Sequence, residues 1–246
     1  MTGTLIGVGV GPGDPELLTL KALRLIREAP VVAYPQPDDG PSFARAIVAE
    51  HLDGQVEEPI IVPMRAARFP AAQVYDEAAG RLGAHLDAGR DVAVLCEGDP
   101  FFYGSFMYLH ARMAARWPVR VVPGVSSVMA GAAAVRRPLA ARDDALAVIP
   151  ATLPDEAIEG HLARPDAAAI IKLGRHLPRL RALLDRMGLT PMTQYCERIG
   201  LGEERLSPLV TLGTDVAPYF SLLLVYRGGE GWVADLPAVA RTGADA

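Results

Sequence analysis

A chain of 246 residues, 50% hydrophobic and 22% charged, is long enough to bury one large core or two compact ones without staples. Its formal net charge of −5 excludes a general nucleic-acid surface, which needs a concentrated basic stripe to displace counterions. No apolar run reaches bilayer-spanning length, and the two cysteines, Cys96 and Cys196, argue against a disulfide framework and form no metal-type pair.

Taken in chain order, strand-like apolar runs at 4–10, 30–34, 58–62, 91–96 and 119–122 alternate with helical patterns near 15–28, 41–52, 71–88, 100–115 and 125–135. That alternation predicts a mostly parallel sheet with helices on both faces. The opening "MTGTLIGVGVG" enters a strand with no basic segment or cleavage site, so a cytoplasmic protein is expected. In the first helix Leu17, Leu20 and Leu23 make an apolar side, and Lys21, Arg24 and Glu28 make a polar one. The polar stretch "RRPLAARDD", from Arg136 to Asp144, breaks the rhythm. It places an α/β domain over 1–137 and a smaller one over 138–246. In the second, "LAVIPA", "AAIIKLG", "MTQYCERIG" and "YFSLLLVYRGG" read as strands, with helices near 155–164 and 176–187.

The motifs eliminate several chemistries. A dinucleotide fingerprint counted from Gly7 would end on Pro12, and counted from Gly9 on Asp14, so it fails twice. A phosphate-binding P-loop needs Gly-Lys-Ser/Thr, and here Gly13 is followed by Asp14 and Pro15. "PGVSS", Pro123 to Ser127, has Val128 where a nucleophile elbow needs glycine. The five histidines include no pair at metal-ligand spacing, and no metal is expected.

Three strand-to-helix turns survive: "GPGD" at 11–14, "EGDPFFYGS" at 97–105 and "PGVSS" at 123–127. Asp14 and Asp99 stand where a helix N-cap would, each followed by proline at the first helical position. Together the turns resemble the tetrapyrrole methylase family. The longer stretches "GTLIGVGVGPGDPELLTLKAL", "EGDPFFYGSFMYLH" and "CERIG" are similar to its branch that methylates carbon 20 of precorrin-2, and the resemblance spans nearly the whole chain.

The resemblance implies a two-domain tetrapyrrole methylase fold, usually homodimeric, with S-adenosylmethionine held between the domains and S-adenosylhomocysteine released. It implies methylation of the C-20 meso carbon of precorrin-2 to precorrin-3A in cobalamin biosynthesis, without nucleic acid or membrane partners. By motif, cofactor contacts fall on Pro12, Glu97, Gly98, Asp99, Phe102, Ser126, Ser127 and Leu173, with Tyr195 and Leu224 as looser matches. Asp14, Tyr103 and Arg198 are candidates for the substrate, and Glu97, Tyr103 and Glu197 for accepting the proton that leaves carbon 20. Family members often carry Gly-Gly-Asp where this chain has Glu97-Gly98-Asp99. Arg65, Arg68, Arg112, Arg136 and Arg137 are either solvated or carboxylate-binding. The alternatives are a sister enzyme acting at another ring carbon or on a cobalt-containing precorrin, a methylase of RNA or protein, and a tetrapyrrole carrier.

Overall fold

The computed structural model describes residues 1–63, 70–228, 230–234, 236 and 239–242. It divides into two compact units, Met1–Ser126 and Ser127–Ala246.

The first unit is built on five parallel strands, β1 (Leu5–Gly9), β2 (Val31–Pro37), β3 (Val56–Val62), β4 (Val92–Cys96) and β5 (Val119–Val122), ordered β3-β2-β4-β1-β5. Its helices are α1 (Leu20–Glu28), α2 (Phe43–Ile47), α3 (Pro70–Asp87) and α4 (Phe106–Met113). The period of two along each strand divides the core. Ile6, Val8, Ala93 and Leu95 join Ala22, Leu25, Ile26 and Ile47 on one face. Leu5, Val92, Val94 and Cys96 join Leu82, Phe106, Leu109 and Met113 on the other. The central strands β1 and β4 are apolar throughout because both faces are covered, whereas β3 carries Glu57 and Glu58 and β5 carries Arg120.

The expected helix over 15–28 is instead a one-turn 3-10 helix, Pro15–Leu17, followed by α1. Leu18 and Thr19 are extended, and the Thr19 hydroxyl accepts the Ala22 amide at 3.1 Å, so a second cap starts a new helix. This turns Leu20 out, 87% exposed, and gives the core face to Ala22, Leu25 and Ile26. The polar side stands as expected, with an Arg24–Glu28 pair at 2.7 Å. The helix expected from 100 starts only at Phe106, because Tyr103 takes φ +58° and Gly104 is wedged against the Asp99 and Pro100 carbonyls.

The second unit has α5 (Ser127–Ala134), β6 (Leu146–Pro150), α6 (Asp155–Leu162), β7 (Ala167–Ile171), α7 (Leu177–Arg186), β8 (Thr193–Glu197), β9 (Arg205–Pro208), β10 (Ser221–Tyr226) and β11 (Arg241–Thr242). The sheet order is β11-β9-β8-β10-β7-β6, with β6 and β7 parallel and the other pairs antiparallel. α6 and α7 cover one face through Ile158, Leu162, Leu180 and Leu184, against Ile170, Tyr195, Leu223 and Val225. α5 approaches the opposite face, where a Cβ on Gly131 would lie 3.5 Å from Leu224. That packing places α5 in the second unit, ahead of the 137/138 junction expected from the polar stretch. Among the described residues no helix is long and apolar enough to cross a membrane.

Candidate functional site

In the first unit, the chain leaves β1 toward β2 on one side and leaves the neighbouring β4 toward β5 on the other. Such a reversal opens a crevice at the carboxyl ends of parallel strands, where α/β sheets take ligands. The three glycine turns meet there. Gly98 N–H donates to the Gly11 carbonyl at 2.8 Å and Gly11 N–H to the Gly98 carbonyl at 3.3 Å, joining the turns after β1 and β4. A Cβ on Gly9 would stand 2.5 Å from the Gly124 nitrogen and 2.6 Å from the Gly98 oxygen, and one on Gly124 would overlap the Gly98 carbonyl. The turn after β5 is thus pressed onto the other two, backbone against backbone.

Asp99 fastens this arrangement. Its Oδ1 accepts the amides of Phe101 at 2.9 Å and Phe102 at 3.1 Å, and its Oδ2 accepts the Gly124 amide at 3.1 Å. Asp14 caps its 3-10 turn by accepting the Glu16 amide at 2.8 Å. Pro12 is buried, while Phe102 and Tyr103 stand 37% and 43% exposed with rings edge to face at 5.2 Å. Glu97 is half-buried; desolvation raises its carboxyl above the ordinary range, opposed by its own amide and that of Ala44. Ser126 is half-buried at the end of the third turn.

In the second unit, Tyr195 is fully buried in the α7-side core and its hydroxyl donates to Glu197 Oε2 at 2.6 Å. Burial, then that carboxylate, push the phenol well above its ordinary range. Ser221 and Arg205 pair with Glu197 from the strands on either side. Arg198, at φ +50°, donates its amide to the Phe220 carbonyl at 2.9 Å and forms an ion pair with the exposed Glu203. Leu173 is buried in the same core as Tyr195. Leu224 faces the other way, because β10 pairs Leu223, not Leu224, with Tyr195.

The sequence model of the Tetrapyrrole (Corrin/Porphyrin) Methylases matches residues 4–213. The chain belongs to this family. It is 45% identical over 235 residues to the cobalamin biosynthesis protein CobIJ of Mycobacterium tuberculosis, covering 92% of this chain and 46% of that protein. The chain therefore spans about half the length of the CobIJ relatives it matches. It is 41% identical over 239 residues to the precorrin-2 C(20)-methyltransferase of Sinorhizobium, covering 94% of this chain and 96% of that one. Uroporphyrin-III C-methyl transferase from Thermus thermophilus, solved with S-adenyl homocysteine, superimposes with a TM-score of 0.63 at 29% identity over 91% of this chain and 97% of that one.

In this tetrapyrrole methylase, the expected cofactor residues Pro12, Glu97, Gly98, Asp99, Phe102 and Ser126 belong to the three interlocked turns, and Ser127 opens α5. Leu173 and Tyr195 share one core, whereas Tyr195 and Leu224 lie on opposite faces of their sheet and do not line one surface. Arg112 is committed to Asp76 at 2.6 Å and to the Tyr108 and Ala72 carbonyls, and Arg137 to the Val233 carbonyl. Arg65 and Arg68 lie outside the described residues. Cys96 and Cys196 are buried strand residues whose thiols are pushed up by desolvation. Gly9 and Gly124 were absent from the expected site although they shape it; the sequence signal was glycine at the end of one strand and just after another.

Proposed function

We propose that this methylase transfers the methyl group of S-adenosylmethionine to the C-20 meso carbon of precorrin-2, giving precorrin-3A and S-adenosylhomocysteine, and works in the cytoplasm as a homodimer. The observation that carries the reading is the interlock of the three turns. Residues 9–14, 97–105 and 123–127 contain three carboxylates, Asp14, Glu97 and Asp99, and no lysine or arginine. A site of that charge repels a pyrophosphate and suits a cationic sulfonium. The glycine contacts hold the three turns backbone against backbone at the crevice. The 41% identity to a precorrin-2 C(20)-methyltransferase over nearly both chains supports the choice of acceptor and carbon. The homodimer is carried over from the family resemblance.

When bound, S-adenosylmethionine supplies an electrophilic methyl carbon on sulfur. The protein's part is to hold cofactor and acceptor in line, where orientation alone removes much of the barrier. Asp99 acts by position: its oxygens are taken up by three backbone amides, so it fixes the turns that face the ligand. Once the new carbon–carbon bond forms, the hydrogen on carbon 20 must leave as a proton. Glu97, whose carboxyl desolvation raises against the pull of its own amide and that of Ala44, is one acceptor for that proton. Glu197, to which Tyr195 donates, is the other.

Anaerobic incubation of the protein with S-adenosylmethionine and precorrin-2 tests the reading. The expected product carries one added methyl at carbon 20 by mass and carbon-13 spectra. No transfer, or transfer to another carbon, rejects it.

A further inference from the structure

A polar side chain on a buried sheet face needs a hydrogen-bonding account, and β8 presents one. Gln194 is 3% exposed. It pairs with Leu224 on β10 and with Pro208 on β9, so it shares the face that α5 approaches, where its strand neighbours are apolar. A primary amide buried there costs stability unless its oxygen and nitrogen find partners. The Gln194 Oε1 has none among the described residues.

A second such atom stands at the same place. Arg137 lies just beyond α5, and its Nη2 donates to the Val233 carbonyl at 3.0 Å, while its buried Nε–H meets no acceptor among the described residues. Arg137 and Gln194 line one cavity of about 20 Å³, whose other walls include Val135, Leu139 and Leu224. The two side chains leave these atoms unbonded to each other. Of the five buried side-chain polar atoms without a partner among the described residues, two therefore belong to residues that border one small space, one a donor and the other an acceptor.

The size of the space limits its guest. One water needs about 10–15 Å³, so a cavity of about 20 Å³ holds one and not two, and no organic ligand fits. A chloride would face the amide oxygen, and a metal cation would face the guanidinium. Water suits both, because it accepts from the Nε–H and donates to the Oε1. With the amide turned over, water accepts from its nitrogen instead, so either orientation of Gln194 is served.

We infer that this cavity is a binding site for a single structural water that bridges the Arg137 Nε–H and the Gln194 side-chain amide. The bridge joins three parts of the second unit: β8 through Gln194, the segment after α5 through Arg137, and the short helix Gly231–Ala234 through the Val233 carbonyl that Arg137 also holds. The Arg137 guanidinium is thereby occupied inside the second unit rather than by solvent or by a ligand carboxylate.

A crystal structure of the full chain, at a resolution that orders individual waters, tests the site together with the melting temperatures of three variants. The wild type should show one ordered water about 2.7–3.2 Å from both the Arg137 Nε and the Gln194 side-chain amide. Gln194→Met keeps the length of the side chain but removes its polar end. It should expel the water, leave the Arg137 Nε–H unmet and lower the melting temperature by about 3–10 °C. Arg137→Met should lower it too, with the Val233 bond lost in addition. Because both changes act on one bridge, the double variant Gln194→Met/Arg137→Met should lose much less than the two single losses together. No water at that position, a bound ion or a direct Arg137–Gln194 hydrogen bond in its place, fully additive losses in the double variant, or a Gln194→Met protein as stable as wild type would each overturn the inference. The wild-type density decides on its own if a variant does not fold.

Discussion

Asp99 and Gly124 are 25 positions apart in sequence, yet the aspartate's Oδ2 accepts the glycine's amide at 3.1 Å and so ties the turn after β4 to the turn after β5. Asp99→Ala removes this bond and two caps together. The Gly124 amide, left without its acceptor, costs about 1–3 kcal/mol of stability. If the tie shapes the cofactor cradle, S-adenosylhomocysteine affinity measured by calorimetry should fall about tenfold or more, beyond any fraction unfolded. Asp99→Asn, which keeps an acceptor for the Phe101 and Phe102 amides, should retain most stability and lose part of the affinity. A folded Asp99→Ala protein with unchanged affinity would leave the residue as a turn cap alone.

The close approach of Gly9, Gly98 and Gly124 makes a second expectation. Gly124→Ala drives a methyl into the Gly98 carbonyl and forces the backbones apart, a cost of about 1–3 kcal/mol or more, with loss of cofactor binding. Gly80→Ala is the contrast. Gly80 lies within α3 with nothing within 4 Å of its Cβ, so alanine should stabilise by about 0.5–1 kcal/mol through helix propensity. Paired denaturant melts give both signs.

These two glycines also mark how far the sequence alone could reach. The first unit's central strands were legible because a parallel strand covered on both faces is an unbroken apolar run, as in "LIGVG" and "VAVLC". Asp14 and Asp99 were legible as helix N-caps; Asp14 caps the 3-10 turn Pro15–Leu17, whereas Asp99 closes a turn and the helix after it begins only at Phe106. That Asp99 also reaches Gly124 was not legible, since a contact between two turns leaves no local pattern. Leu20 misled for a related reason: its spacing suits a helix beginning at Pro15, and only the extended Leu18 and Thr19 turn it out. Strands β9 and β11 went unpredicted because "RLSP" and "RT" are short and owe their form to the neighbours they pair with.

Acid stability should report on Glu57. Hydrogen bonds from Arg45, at 2.8 Å, and from Tyr34, at 2.6 Å, lower its carboxyl from 4.5 to about 2. Between those values the unfolded chain binds more protons than the folded one, so stability rises with pH across that window. The contribution is complete above about 4.5 and disappears as pH falls through about 2. With Glu57 and Arg45 each about one-third exposed, solvent screening holds it to about 1 kcal/mol. Glu57→Gln should therefore be less stable than wild type near neutral pH, with the two converging in strong acid. A gap that persists undiminished to about pH 2 would place the cause in packing rather than in the ion pair.

Tyr195 and Leu224 test whether the second unit's expected cofactor residues touch ligand or only support it. Tyr195 is wholly buried among Leu173, Leu223 and Val225, and its hydroxyl is engaged by Glu197. Tyr195→Phe keeps the ring and removes one hydrogen bond to a charged group, worth about 1.5–3 kcal/mol at full burial and less beside the half-buried Glu197. Leu224→Ala, on the other face, opens a cavity and should cost about 2–5 kcal/mol. If both residues are structural, S-adenosylhomocysteine affinity corrected for the folded fraction stays within twofold of wild type in each variant, while both melting temperatures fall. A drop in affinity confined to Leu224→Ala would put the cofactor on the α5 side of the sheet. The same drop confined to Tyr195→Phe would put it beside Glu197, and would favour that carboxylate over Glu97 as the proton acceptor.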